Sequence, residues 1–569
     1  MINKVELGSV NSKNKTPKLY NGGQNMSQPS FGGLGSLALR GIQKCEKSPM
    51  INVAVLDLTT AILPRTFFET FIGSKQTDEN GNEKKGRKLN FLAGFEALRR
   101  EGSGLLINCI IPSFIVIGVA KLLNRPIMGA FNKSNLTTSW ANGDTIKQVE
   151  KYYNSAKDLS KEDRIYTALK SMFDDIEGVD GDIDKGGLKK FKDIFAGDKE
   201  YEAAIRKMTK NIVSDKPAEN YTKEMYGYMV QKAGISENIR FAGDKGFFSS
   251  NLGHLCDSAG EVLHGAVKEG VIADVADSKA LEQATDELSK YLSKAKKLVN
   301  AKSLAGLGVI IPLAIAAQPI NRWITHKIAG KKGAPIYNDD KERILTPEEK
   351  KDLTAKKFFA VPLMWGVAGL SMLMDRPSLK MFQFKNIFPT MDQARIISAA
   401  TFSSRLAAAE DSNELMENTI RDIITFSSFY FLGDYAAKAI ATCIEKNNKD
   451  GIKLINRLKN TPEGANIIQR FWNWAKHTKM KSTDELGAIA NQAMRTKATN
   501  LRAVCQLGSF IFSLLSLGVF IPIYTRTQTN KKEKMMEASP SSSTSTLGTT
   551  TFTQKFLQGT PKTFQSFNS

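Results

Sequence analysis

The sequence predicts an all-α fold: a helical membrane protein with a few long Pro-containing apolar helices, a soluble helical domain and disordered termini. Three observations carry this reading. Charge-free or nearly charge-free apolar runs stand at 102–120, 303–321, 358–374 and 503–525, each close to the roughly 20 residues that a spanning helix needs. No segment alternates with period two, the mark of a half-buried strand. An apolar string also recurs. Ser303-Leu-Ala-Gly-Leu-Gly-Val-Ile-Ile-Pro312-Leu313 returns as Ser513-Leu-Leu-Ser-Leu-Gly-Val-Phe-Ile-Pro522-Ile523, with a fainter copy from Ser103 to Ser113. Each copy places a proline inside a helical pattern. In water that costs about 3 kcal/mol, whereas packed membrane helices tolerate it because neighbours re-satisfy the freed backbone group.

Residues 1–48 read as a disordered arm, since their Gly, Ser and Asn bury too little to offset chain entropy. No cleavable signal peptide is expected there. The region 49–131 opens with Ile51 to Arg65, apolar around Asp57. This stretch is too short to span and is expected to be a buried or re-entrant helix ending near Pro64. Lys75 to Lys88 reads as a polar loop, followed by the first spanning run.

Residues 132–300 form the soluble helical domain. Ser160 and Asp163 make a capping-box variant opening a helix to about Phe173. Ala280, Leu281, Ala284, Leu288, Leu292, Ala295 and Leu298 recur at helical spacing and lead without a break into the Ser303 run. Two apolar helices joined by a basic loop occupy 301–380. Thr346-Pro347-Glu348-Glu349 starts the second of them. The first run's helix and the third run's close alike, on Asn124-Arg125-Pro126 and Asp375-Arg376-Pro377. A mixed helical region covers 381–502. In it Arg470 to His477 interleaves aromatics with bases, as interfacial segments do, and Ser482 with Glu485 caps another helix. The last apolar helix is 503–526, and 527–569 is a disordered Ser/Thr-rich tail.

The chain has 569 residues and a formal charge of +21. Its bases flank the apolar runs without forming an Arg-rich or aromatic-interleaved block, so anionic headgroups are the expected partner rather than nucleic acid. A protein partner is also expected. The five cysteines are far apart and never paired as Cys-x-x-Cys, which argues for reduced structural thiols.

The strongest local chemical signal runs from Phe173 to Leu188. It resembles the loop of an EF-hand, with Gly181, Ile183 and Leu188 falling where that family has Gly, Ile and Leu. The resemblance implies calcium held by Asp180, Asp182 and Asp184. The sequence departs from the pattern at the bidentate Glu position, here Gly187, and at the first and third ligand positions, Ile176 and Gly178. The alternative is an acidic turn between two helices. No other cofactor is expected.

His254, Cys256, Asp257 and His264 match no common zinc spacing. Gly81-x4-Gly86-Arg87-Lys88 lacks the Lys-Ser/Thr ending of a P-loop. Gly-x-Ser-x-Gly and His-Glu-x-x-His do not occur, so catalysis is not expected. Asp57 and Asp434 are acids in apolar surroundings, a functional signal if they lie within lipid and otherwise interfacial helix ends.

The leading functional expectation is a structural or partner-binding membrane protein, located in an inner or cytoplasmic membrane. One alternative is a small-solute transporter or channel, suggested by the repeated Pro-bearing helices. The other is a soluble or peripheral protein whose apolar runs are buried by neighbouring helices.

Overall fold

A computed structural model of the chain describes residues 49–524, except 72–74, 78–82, 88, 90, 124–141, 215–221, 245, 248–250, 330–344, 375–383, 385–388, 449, 460–461 and 463, together with 527. The N-terminal arm, most of the Ser/Thr-rich tail and both Arg-Pro helix endings lie outside these residues. The described residues are mostly helical, an all-α architecture.

The polar unit begins at α5 (Gly143–Ser155) and α6 (Lys161–Asp174). It continues through α7 (Phe191–Ile194), α8 (Lys199–Val213), α9 (Lys223–Ala233) and α10 (Leu252–Lys268). The Ser160 hydroxyl caps α6 as expected, accepting from Asp163 N–H at 3.4 Å. Tyr153, Phe173, Phe191, Tyr201 and Leu263 fill the core between these helices. Strands β3 (Ile176–Val179), β4 (Leu188–Lys190) and β5 (Ile239–Phe241) form a small antiparallel sheet in the order β4-β3-β5. Strands of three or four residues are too short to show a sequence period.

This unit is not built from one stretch of chain. Strands β6 (Ile455–Arg457) and β7 (Thr478–Met480) pair with each other and dock on it, together with α17 (Thr483–Gly487). Arg457 N–H donates to Gly181 O at 2.7 Å, and Gly181 N–H donates to Asn456 Oδ1 at 2.8 Å. The Glu485 carboxylate closes the junction by accepting from Ser236 and Glu237 N–H, both at 3.0 Å. Buried backbone donors need partners, and this carboxylate supplies two.

Helix α11 (Ser278–Ala329) runs unbroken for 52 residues, about 78 Å. Its first half buries Leu288, Leu292, Ala295 and Leu298 against the polar unit. Its second half enters an apolar bundle. There it packs beside α13 (Met391–Ala407) and a hairpin of two helices, and α13 packs in turn on α12 (Pro347–Met374). The hairpin's first arm is α1 (Pro49–Leu56), a π-helical stretch (Asp57–Ile62) and α2 (Leu63–Phe71). Its second is α3 (Phe91–Leu105), a π-helical stretch (Leu106–Ile110) and α4 (Ile111–Leu123). The connection between the arms carries a two-stranded ribbon, β1 (Lys75–Thr77) with β2 (Glu83–Arg87), where the sequence suggested only a polar loop. Helices α14 (Ser412–Ser427) and α15 (Gly433–Asn447), joined by a π-helical stretch (Ser428–Leu432), complete the bundle with α18 (Gln492–Ser513). A last π-helical stretch (Leu514–Phe520) extends α18.

The prolines explain three of the four π-helical stretches. Leu63, Ile111 and Ile521 immediately precede Pro64, Pro112 and Pro522. Leu63 and Ile111 donate to the carbonyls five residues back, of Leu58 and Leu106, and Ile521 does so to Ser516. A proline cannot donate, and its ring crowds the carbonyl four residues back. One widened turn before it removes that clash and lets the helix continue. The expectation that the first helix ends near Pro64 is therefore corrected: it runs on to Phe71. Pro319 shows the second solution. It leaves the Ile315 carbonyl without its usual helical donor, and the Ser404 hydroxyl of α13 donates to that carbonyl instead.

Close approach fixes the last helix on the first. A Cβ at Gly518 would lie 3.0 Å from Thr60 O and 3.1 Å from Pro64 Cβ, so the two π-helical stretches touch backbone to backbone.

Candidate functional site

Among the described residues, four helices are long and apolar enough to cross a membrane: Ile51–Phe71, Gly94–Val119, Ser278–Lys327 and Gln492–Tyr524. The number matches expectation but one member differs. The Ile51 helix, read as too short, gains length through Pro64, while α12 with the 358–374 run is not among the four. Between 22% and 39% of each apolar window is buried within the chain, so most of this surface faces outward. On α11 the exposed residues include Leu304 (66%), Val309, Ile315 (51%), Ile320 and Trp323. All but Trp323, which follows Arg322, lie between that arginine and Lys302, fully buried at the polar unit. Those two residues are twenty apart, about 30 Å along the helix, which is the thickness of a bilayer's hydrocarbon core. Phe358, Phe359 and Leu363 of α12 and Leu515, Phe520 and Ile523 after α18 are exposed as well.

A charged layer closes the bundle at the Arg322 end. Arg65 of α2 meets Glu101 of α3 at 2.6 Å. Arg405 of α13 lies 3.3 Å from Asp422 of α14, and Arg421 lies 3.4 Å from the same carboxylate. The Asp422 side chain is 1% exposed. Glu101 sits in the field of Arg405, Arg421 and Arg100 as well as Arg65, so these ions form one group. Beside them Arg322 bridges Glu410 at 2.9 Å and Glu414 at 2.5 Å. Arg99 joins Glu96 and Thr325, each at 2.6 Å, and Asn321 donates to Ser103 at 2.7 Å. Charged groups taken from water in this way need partners with good geometry. Here the partners come from five helices, which the layer thereby locks in register.

The two acids singled out in apolar surroundings part company. Asp57 opens the first π-helical stretch and sits in the fields of Glu101 and Arg405. It lies eight residues, about 12 Å, from Arg65 along its helix. Asp434 is half-exposed and pairs with Lys438 at 2.5 Å within α15, away from the layer. Arg65, Glu101, Arg405, Arg421 and Asp422 are members that sequence reasoning missed. A usable signal existed for the last two, because Arg421-Asp422 directly precedes the apolar stretch 423–432.

In the EF-hand-like loop Asp180 and Asp182 already have partners. Asp180 Oδ2 accepts from Lys189 Nζ at 2.5 Å, and its other oxygen pairs with Lys481. Asp182 is spent as the cap of a short 3₁₀ turn, accepting from Asp184 N–H at 3.2 Å. Among the described residues no group of three His, Cys, Asp or Glu could hold a metal ion. Both partners of Asp180 are lysines, and one of them, Lys481, directly follows the distant strand β7. His254 pairs with Ser258 at 2.9 Å and His264 with Ile212 O at 3.0 Å, both ordinary packing roles. Gly81 lies outside the described residues.

Asp180 gives a pH prediction. Burial alone would raise its carboxyl, but Lys481 and Lys189 outweigh this and hold it below its ordinary value of 3.8. A depressed carboxylate contributes stability that is present above the unfolded value and lost as pH falls through the folded one. Asp180→Asn should cost about 2 kcal/mol at neutral pH and flatten the fall of Tm below about pH 4. A variant whose Tm falls as steeply with acid as the parent's would refute the assignment.

No family model matches the chain, and neither a curated protein nor a solved structure is similar to it.

Proposed function

We propose that this is a non-catalytic helical membrane protein in which the apolar bundle sits in the bilayer and the polar unit is displayed at one surface to bind a partner. The observation that supports it most is the outward-facing apolar surface of α11, about 30 Å long between Lys302 and Arg322. A protein in water rarely exposes a contiguous apolar patch of this extent, which weighs against a soluble protein with buried runs. Spanning by helices, not by a barrel, suits an inner or cytoplasmic membrane. The basic flanks suit anionic headgroups. The test is alkaline carbonate extraction of membranes from expressing cells. The chain should stay in the pellet, and recovery in the supernatant would overturn the reading.

One observation favours a second reading, the passage of an ion or small solute. Asp57 lies about 12 Å along its helix from Arg65, among apolar helices, where ionisable groups are costly and mark pathways. Purified chain in proteoliposomes should then carry proton, potassium or chloride flux that Asp57→Asn reduces. Flux no greater than in empty vesicles would retire this reading.

A further inference from the structure

We infer that α16 (Ile467–His477) is an interfacial anchor that lies in the headgroup layer of an anionic leaflet, on the side of the polar unit. The inference rests on the membrane reading and adds a lipid-binding element to it.

Helix α16 is specified locally. Asn466 accepts from Gln469 N–H at 2.8 Å while Gln469 Oε1 accepts from Asn466 N–H at 3.2 Å, a complete capping box. The start of the helix is therefore set by its own sequence. Its apolar residues share one face, which is covered only toward the C-terminal end. Ala475 is buried, and Phe471 and Trp474 pack on Tyr435 of α15, each with centroids 6.1 Å apart. Ile467 (86%), Ile468 (77%), Phe471 and Trp472 are exposed. A short helix with this much bare apolar surface is costly in water.

Two further observations name the occupant. First, the helix is seated beside the apolar surface already described. Tyr435 lies between Gly433, whose Cβ would meet Ser509 Oγ at 2.7 Å, and Ile440, which crowds Gly508. These contacts place Tyr435 beside the apolar half of α18, past Arg502 and level with exposed Leu507 and Ile511. The bare face of α16 thus adjoins the surface proposed to meet lipid. Second, the charge is one-sided. Residues 467–480 hold Arg470, Lys476, His477 and Lys479 and no acid. Aromatics with bases on a helix lying flat at the edge of an apolar belt suit the boundary between acyl chains and anionic headgroups.

The test uses the full chain with Cys45→Ser and Cys443→Ser, reconstituted in nanodiscs of phosphatidylcholine with and without phosphatidylglycerol. An environment-sensitive fluorophore is placed at Ile468→Cys, and in a parallel sample at Ile315→Cys on α11. Brominated lipids should quench both labels. Phosphatidylglycerol should deepen quenching at residue 468 and leave residue 315 unchanged. Arg470→Glu with Lys476→Glu should remove that lipid dependence. A label at 468 that emits as in water while 315 is quenched would overturn the anchor and leave the membrane reading standing. Failure to quench either label would overturn both. Self-crosslinking through residue 468 in place of quenching would point to a second copy of the chain and also overturns the anchor.

Discussion

Asp422→Asn should destabilise the bundle by about 3–5 kcal/mol, the typical cost of removing one partner from a buried ion group. The carboxylate is 1% exposed, and Arg405 and Arg421 both approach it, at 3.3 and 3.4 Å. Taking away its charge leaves Arg405 and Arg421 to share Glu101, which Arg65 already engages, in a site shut off from water. The loss should appear as a large fall in Tm of the purified chain in detergent and in membrane yield. Asp422→Leu combined with Arg405→Leu should recover part of it, because an apolar pair of similar volume often replaces a buried ion pair without loss, while Arg421 keeps Asn418 at 2.7 Å. A single variant with unchanged Tm would show that the layer does not hold the helices together.

The same layer marks where sequence reading stops. The runs at 102–120, 303–321 and 503–525 are legible because length and absence of charge are local properties, and all three fall in helices able to cross a membrane. The caps at Ser160, Thr346 and Ser482 are legible for the same reason. Thr346 Oγ1 accepts from Glu349 N–H at 3.2 Å, as the Thr-Pro-Glu-Glu string requires. Pro64 misled because a stop and a widened turn look alike in one dimension. What decides between them is whether Gly518 and its neighbours pack on the π-helical stretch. The docking of 450–490 on the polar unit rests on pairs such as Gly181 with Arg457, hundreds of residues apart, which leave no periodic trace. In the charged layer, Asp57 announces itself by standing alone among apolar residues. Arg65, Glu101 and Arg405 look like ordinary helix-surface charges until five helices bring them together.

Val309→Asp with Ile315→Asp separates the two environments the bundle could occupy. Both residues are exposed, at 50% and 51%, on the outward face of α11. In water, an aspartate at an exposed helical site changes stability by at most about 1 kcal/mol, most of it helix propensity, and improves solubility. In a bilayer, each aspartate near the helix centre costs about 2.5–3.5 kcal/mol on insertion scales, somewhat less at a position about 10 Å from the nearer end. Its short side chain cannot reach headgroups as Lys or Arg can. The pair should therefore cost about 5 kcal/mol and abolish stable membrane integration. Val309→Leu with Ile315→Leu should leave it intact. Lys302 and Arg322 stand at the ends of the same segment, so the penalty should shrink for aspartates placed closer to either. A Val309→Asp, Ile315→Asp chain that is recovered folded from the soluble fraction, with Tm unchanged, would mean that this surface meets water or protein and not lipid.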